Sequence, residues 1–257
     1  MTASRFTASR PAVPWDSHPE PAPRAEAAED DFLETREKKT PTDTPALPRP
    51  MILPALQQYV ARMVAARGFH QDPDKIFILL TEELGELATE FKHRAYYPER
   101  IDEENLGFEL ADILLYLLDL ANAFSLSLME LWPAHEAAND RRFASRRPER
   151  PGAVAALTKI DPALALNELV VHVEAKRLEW GFEDTPERLM ILLTEEVGEI
   201  ATELRKSWRG LGDAHRMGAE IIDALTYLLR LAGCFRVDLE AAVTEKERRN
   251  AARSWEY

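Results

Sequence analysis

One stretch of this sequence is written twice. Residues 76–90 read IFILLTEELGELATE and residues 189–203 read LMILLTEEVGEIATE, 113 positions apart. A chain carrying such a repeat is expected to fold as two homologous units, because each copy selects the same local structure. The correspondence extends in both directions. Upstream, Gly68-Phe69 matches Gly181-Phe182 and Asp72-Pro73 matches Thr185-Pro186. Each of the latter pairs is a capping side chain followed by a proline suited to the first helical position, so both copies start a helix at the same place. Downstream, FELADILLYLLDLA (108–121) matches AEIIDALTYLLRLA (219–232), and Asn139 matches Asn250, now at an offset of 111. The joining segment is therefore two residues shorter in the second copy.

Apolar periodicity predicts four helices in each copy and no strand, an all-α fold. The expected spans are 53–67, 73–94, 102–124 and 127–146, then 162–179, 186–207, 213–235 and 238–255. Four short helices bury a limited core alone, so the copies are expected to pack together as an internal pseudo-dimer. The resulting division is a tail (1–50), repeat one (51–147), a linker (148–161) containing part of RRPERPGAVAAL, and repeat two (162–257). The tail holds nine of the 17 prolines and is expected to be disordered. Met51 opens the first apolar-periodic stretch and is a candidate translation start, which an intact-mass measurement would test.

Composition narrows the function classes. The formal charge of −13 opposes any broad hold on nucleic acid, whose phosphates require Lys and Arg. A single cysteine, Cys234, excludes an intrachain disulfide and paired-cysteine zinc sites, and fits a reducing compartment. The longest purely apolar run, 113–118, is far too short to span a bilayer. A cytoplasmic protein with neither nucleic-acid nor membrane partner is the expectation.

The chemistry is carried by carboxylates. On a helical wheel, Ile76, Phe77, Leu80, Leu84, Leu87, Ala88 and Phe91 fill an arc of roughly 120° bordered by Glu83, Glu86 and Glu90. In the following helix Asp112 interrupts an apolar run, where an unpaired carboxylate would be costly to bury. Glu109 and Asp112 share a face, as do Glu220 and Asp223. Two helices offering such pairs can converge four oxygen-bearing groups on a small volume. Without a cation this cluster repels itself; with Mg²⁺ or Mn²⁺ it becomes a hard-ligand site able to polarise a phosphoryl oxygen.

The pattern E-E-x-x-E followed by E-x-x-D resembles the MazG-like, all-α nucleoside triphosphate pyrophosphohydrolases. Copy one presents it as Glu82-Glu83-Leu84-Gly85-Glu86 with Glu109 and Asp112, and copy two as Glu195-Glu196-Val197-Gly198-Glu199 with Glu220 and Asp223. The resemblance covers most of 53–147 and 163–257. It implies that Glu83, Glu86, Glu109 and Asp112, and likewise Glu196, Glu199, Glu220 and Asp223, hold Mg²⁺, and that Glu82 and Glu195 orient or deprotonate the attacking water. It also implies that a K-x-x-x-N-x-x-R stretch, here Lys246, Asn250 and Arg253, contacts the triphosphate. Copy one departs from that stretch, with His135 at the lysine position beside Asn139 and Arg142. The implied reaction is attack of a metal-activated water on a nucleoside triphosphate, releasing the monophosphate and pyrophosphate. Because copy two keeps the lysine, Glu199→Gln is expected to lower activity more than Glu86→Gln.

Other readings compete. A glutamate-rich helix face alone is usually just solvated, and the repeat also suits a catalytically silent nucleotide-binding or assembly module. Phosphoribosyl-ATP, dUTP and dCTP are alternative specialised substrates within the enzyme class. A homodimer in addition to the internal pseudo-dimer is compatible with the sequence. His93, His172 and His215 read as core or surface residues, Tyr116 and Tyr227 as donors toward the carboxylates, and Trp208, Tyr96 and Tyr97 as packing residues or base-stacking candidates.

Overall fold

The computed structural model describes residues 45–69, 71–144 and 159–252, all within one compact unit, Lys39–Tyr257. The expectations for residues 1–44, for most of the linker and for Arg253 lie outside these. Among the described residues the chain is all helical and strand-free. The helices are α1 (Leu53–Arg67), α2 (Pro73–Tyr96), α3 (Glu103–Ala123), α4 (Leu128–Arg142), α5 (Leu166–Glu179), α6 (Pro186–Ser207), α7 (Ala214–Phe235) and α8 (Leu239–Ala251).

The helix starts follow from side chains the sequence supplies. Asp72 accepts from Asp74 N at 3.0 Å, with Pro73 in the first helical position, and Thr185 accepts from Arg188 N ahead of α6. Asp102, Asp213 and Asp238 cap α3, α7 and α8 in the same way. These bonds satisfy amides that the helix itself leaves without partners. Gly68 ends α1 at φ 70°, in the left-handed region that favours glycine. The two-residue difference between the copies is absorbed after the glutamate motif. There α2 runs 24 residues against 22 for α6, and a 3₁₀ turn, Pro98–Arg100, leads into α3.

Several boundaries differ from the sequence expectation. Helix α2 runs to Tyr96 rather than 94, and α4 ends at Arg142 rather than 146, where Phe143 packs on Trp180 and Phe182. Helix α5 starts at Leu166 rather than 162, because Asp161 organises a turn. Its carboxylate accepts from Ala163 N and its carbonyl from Leu164 N. After this turn Ala165 bridges Ile52 at the start of α1, and Leu166 N donates to Met51 O at 2.9 Å. Within the expected linker, Ile160 is buried, so its last residues belong to the packed structure. Leu47 packs against the core as well, ahead of the expected start of repeat one at 51.

Helices α3 and α7 form the centre. Both are apolar around most of their circumference and pack against each other, as helices enclosed on several sides must. Each fully buried leucine along them contributes on the order of 2 kcal/mol. Helices α1 and α2 pack on α3, and α5 and α6 on α7. The last helix of each copy crosses over: α8 covers α3, and α4 covers α7. Glycines mark both crossings. A Cβ at Gly107 would touch Val237 and Ala242 at 3.4 and 3.7 Å, and one at Gly218 would collide with Leu131 Cδ1.

Buried polar clusters fix the exchange. Glu247 of α8, 5% exposed, accepts from the Tyr59 hydroxyl and from Arg67 Nη2, both on α1. At the corresponding position Glu136 of α4 meets His172 Nε2 of α5 at 2.6 Å, with Lys176 Nζ at 3.7 Å. His172 is thus a core residue, one of the two readings its sequence left open. We call α1, α2, α3 and α8 the first lobe, and α5, α6, α7 and α4 the second.

Candidate metal centre

Each lobe gathers three carboxylates. In the first, oxygens of Glu83 (α2), Glu109 and Asp112 (α3) all lie within 4.8 Å of one another. In the second, Glu196 (α6), Glu220 and Asp223 (α7) do the same. The convergence follows from the i, i+3 spacing on α3 and α7 and from the antiparallel packing of α2 on α3 and α6 on α7. Glu86 and Glu199, the remaining members of the expected sets, are exposed and stand outside these groups. The charge of Glu86 is still felt by Glu83, Glu109 and Asp112. Glu82 and Glu195 are also exposed and outside the clusters.

Burial and mutual repulsion dominate the electrostatics. Burial, reinforced by the charges of Asp112 and Glu109, pushes the Glu83 carboxyl up to about 8. Burial and then Glu86 push Glu109 up to about 7. In the second lobe burial, Asp223 and Glu220 push Glu196 up to about 8, and burial and Asp223 raise Glu220. Glu109 is 3% exposed, and its Oε2 is buried without a hydrogen bond. A buried carboxylate oxygen of this kind calls for a cation. Three hard oxygen donors with room for further ligands suit Mg²⁺ or Mn²⁺, so the residues fit the expected metal.

The basic partners come from the opposite repeat. Lys246 of α8 pairs with Asp112. Even so, burial outweighs the lysine and keeps the Asp112 carboxyl above its ordinary range. His135 of α4 places Nε2 2.8 Å from Asp223 Oδ1. Burial opposes a charged imidazole here, but the Asp223 hydrogen bond and the charges of Asp223, Glu220 and Glu196 prevail and raise its pKa. One expectation is thereby corrected. The lysine of copy two serves the carboxylates of copy one, so the reason for expecting Glu199→Gln to be the more damaging change disappears. The histidine at the lysine position is biased toward its charged form, because it faces three carboxylates.

The other expected phosphate contacts are spread over both lobes. Asn250 is buried and donates to Glu247 at 3.3 Å. Asn139 Nδ2 stands 3.2 Å from the ring nitrogen His135 uses toward Asp223. Arg142 is exposed, with its guanidinium 5.3 Å from the centre of the Phe143 ring. The Tyr227 hydroxyl makes no hydrogen bond to the carboxylates, and burial pushes its pKa up to about 12. Trp208 and Tyr96 are strongly exposed, and Trp208 Nε1 donates to Asp74 across the repeats.

A cavity of about 290 Å³ opens beside the second cluster. His135, Asn139 and Arg142 of α4 line one wall and Glu196 and Asp223 another. Trp180, Phe182, Tyr227 and Arg230 line it as well. Of these, Tyr227 was singled out by the sequence as a donor toward the carboxylates, whereas Trp180, Phe182 and Arg230 did not emerge as site residues. A signal existed for Arg230, a lone charge within the apolar run LTYLLRLAG, by the same logic that singled out Asp112.

Comparisons with known proteins add a partial likeness. No protein-family model matches the chain, and no solved structure matches it. The uncharacterized protein YpjD of Bacillus subtilis (strain 168) is 39% identical over 77 residues, which is 28% of this chain and 63% of that protein. The chain thus covers less than two thirds of this relative's length. Among the described residues no single helix is long and apolar enough to cross a membrane.

Proposed function

We propose that the chain is a Mg²⁺-dependent nucleoside triphosphate pyrophosphohydrolase, with Mn²⁺ as a substitute metal, built from two MazG-like four-helix units joined as an internal pseudo-dimer. The observation that carries this reading is the convergence, twice in one chain, of three buried or half-buried carboxylates on a basic residue from the other repeat. The buried Glu109 oxygen without a hydrogen bond supports a metal ligand over a solvated acidic face.

In this reading Glu83, Glu109 and Asp112, and Glu196, Glu220 and Asp223, hold the metal, with Glu86 and Glu199 completing the ligand set from the edge. A bound divalent cation supplies charge that polarises a phosphoryl oxygen and lowers the pKa of water. Lys246 and His135 neutralise one carboxylate each and place positive charge beside the phosphates. Asn139, Arg142, Asn250 and Arg253 orient the triphosphate, and Glu82 and Glu195 accept a proton from, or orient, the attacking water. Positioning and neutralisation are the protein's main contributions to phosphoryl chemistry, and no nucleophilic side chain is needed.

The test is ³¹P NMR of products formed from a panel of ribo- and deoxyribonucleoside triphosphates with Mg²⁺ or EDTA. Monophosphate plus pyrophosphate, formed only with the metal, is the expected result. Diphosphate plus orthophosphate, or no turnover of any substrate, overturns the proposal.

A further inference from the structure

The duplication lets each lobe serve as a control for the other, and at one place they differ. In the first lobe Arg94, near the end of α2, holds its guanidinium 4.4 Å from the centre of the Phe235 ring and pairs with Glu103 at the start of α3. One turn earlier on α2, Glu90 is 6% exposed and accepts from Asn105 Nδ2 at 2.9 Å. The repeat offsets of 113 and 111 carry this constellation to the second lobe. There the ring and the buried glutamate are kept, as Phe124 and Glu203, but Ser207 replaces Arg94, Ala214 replaces Glu103 and Arg216 replaces Asn105.

Where Arg94 fills the first lobe, the second has a cavity of about 330 Å³, lined by Phe124, Glu203, Ser207, Asp213 and Met217. Glu203 is 3% exposed and stands outside the carboxylate cluster of its lobe. Lys206 Nζ donates to its Oε1 at 2.5 Å, while its Oε2 is buried without a hydrogen bond. Asp213, exposed, caps α7 and has Arg216 Nε 3.8 Å away. The loop beside the cavity is shaped by glycine: Gly210 has φ 67°, and a Cβ at Gly212 would lie 3.0 Å from Ser207 Cα. An aromatic ring, a buried acceptor and a second carboxylate thus converge where Ser207 is too short to supply the cation that Arg94 supplies in the first lobe.

We propose that the second-lobe cavity between Phe124, Glu203 and Asp213 binds the guanidinium group of a small molecule, held there as Arg94 is held in the first lobe. The ligand's guanidinium stacks on the Phe124 ring and donates to Glu203 Oε2, with Asp213 as a second negative charge. A guanidinium is a flat fork of donors that stacks on aromatic rings and is weakly hydrated, whereas an ammonium is a strongly hydrated point charge. A donor to Glu203 Oε2 also offsets the cost of burying that oxygen without a partner. The volume is at the lower end for small-molecule sites and suits a compound about the size of arginine. Neither the metal centre nor phosphate chemistry takes part in this recognition.

The test is calorimetric titration of the full chain with agmatine and with putrescine, which carries an ammonium in place of the guanidinium. Saturating Mg²⁺ is present to keep both dications off the carboxylate clusters. Agmatine is expected to bind at least about ten-fold tighter than putrescine, the scale of one charge-assisted hydrogen bond. Glu203→Gln is expected to weaken agmatine by at least about ten-fold. Ser207→Arg, which installs the side chain of the first lobe, is expected to abolish binding by occupying the cavity, and it keeps the test open if Glu203→Gln does not fold. Equal binding of the two compounds, agmatine binding that survives Ser207→Arg in folded protein, or no agmatine binding overturns the proposal. Titration with the tripeptide Gly-Arg-Gly separates a protein side chain from a free compound: binding of the peptide without agmatine overturns the assignment to a small molecule.

Discussion

Lys246, on the last helix of the second repeat, makes its ion pair with Asp112 of the first, and His135, on the last helix of the first repeat, pairs with Asp223 of the second. Each carboxylate cluster is therefore completed by the other half of the chain. The lysine side also has the more deeply buried carboxylates, with Glu109 and Asp112 at 3% and 6% exposure while all three members of the second cluster are half-buried.

This exchange predicts which substitutions couple. Residues in contact behave non-additively, whereas changes at separate sites act independently. Lys246→Met combined with Asp112→Asn is expected to lose little more pyrophosphohydrolase activity than the worse single variant, while in Lys246→Met with Asp223→Asn, which strike different clusters, the two absolute rate decrements are expected to add. Glu86→Gln is expected to be more damaging than Glu199→Gln, because the lysine serves the first cluster. Steady-state rates of the five single and two double variants check this.

The exchange also rests on buried ion pairs. Glu247→Ala would leave Arg67, nearly buried at 8% exposure, without its carboxylate. Breaking one partner of such a pair costs about 3–5 kcal/mol. Thermal unfolding should show a clear drop for Glu247→Ala, and Glu245→Ala, on the exposed face of the same helix, should leave the midpoint unchanged.

Much of this architecture was legible in the sequence, for identifiable reasons. The repeat, the Asp-Pro and Thr-Pro helix starts and the E-x-x-D pairs are local signals, and the structure places the corresponding helices within a few residues of their expected spans. The crossing of α4 and α8 was not legible, because either last helix has an apolar face able to cover either α3 or α7. The choice is made by long-range contacts such as Tyr59 and Arg67 with Glu247, which have no local spacing. The start of α5 was misread for a similar reason: the pairing of Leu166 N with Met51 O lies far apart in sequence. Glu86 and Glu199 were legible as motif members, but the side-chain direction that leaves them exposed depends on how α2 and α6 sit on their neighbours.

Asp119 gives a stability prediction with a definite sign. Burial alone pushes its carboxyl up to about 6 in the folded chain, against about 3.9 when unfolded. The folded state then holds the proton more tightly, so the contribution of Asp119 to stability is fully present below pH 4 and is lost as pH rises through 6. Asp119→Asn is expected to match the parent protein near pH 4 and to exceed it at pH 7 by about 1–3 kcal/mol. Denaturant titrations at the two pH values measure the difference.

The carboxylate clusters predict a metal linkage. Because burial raises Glu83 and Glu196 to about 8 and Glu109 to about 7, cation binding near pH 7 displaces protons and strengthens as pH rises. The metal-free chain loses stability as pH rises through 7 to 8, since these raised carboxyls must ionise against one another. Saturating Mg²⁺ is therefore expected to raise the unfolding temperature more at pH 8 than at pH 6, as binding to the folded state alone requires. Glu109→Gln/Glu220→Gln should abolish the increment.

The most direct test of the central claim is the rate of pyrophosphate release from the best substrate of the panel, measured with Mg²⁺ and with EDTA for the parent chain and for Glu109→Gln/Glu220→Gln, with folding verified by circular dichroism. The account predicts metal-dependent release in the parent chain and its loss in a folded double variant. Release that persists in that variant, or that is indifferent to EDTA, would contradict the assignment of these carboxylates as the metal centre.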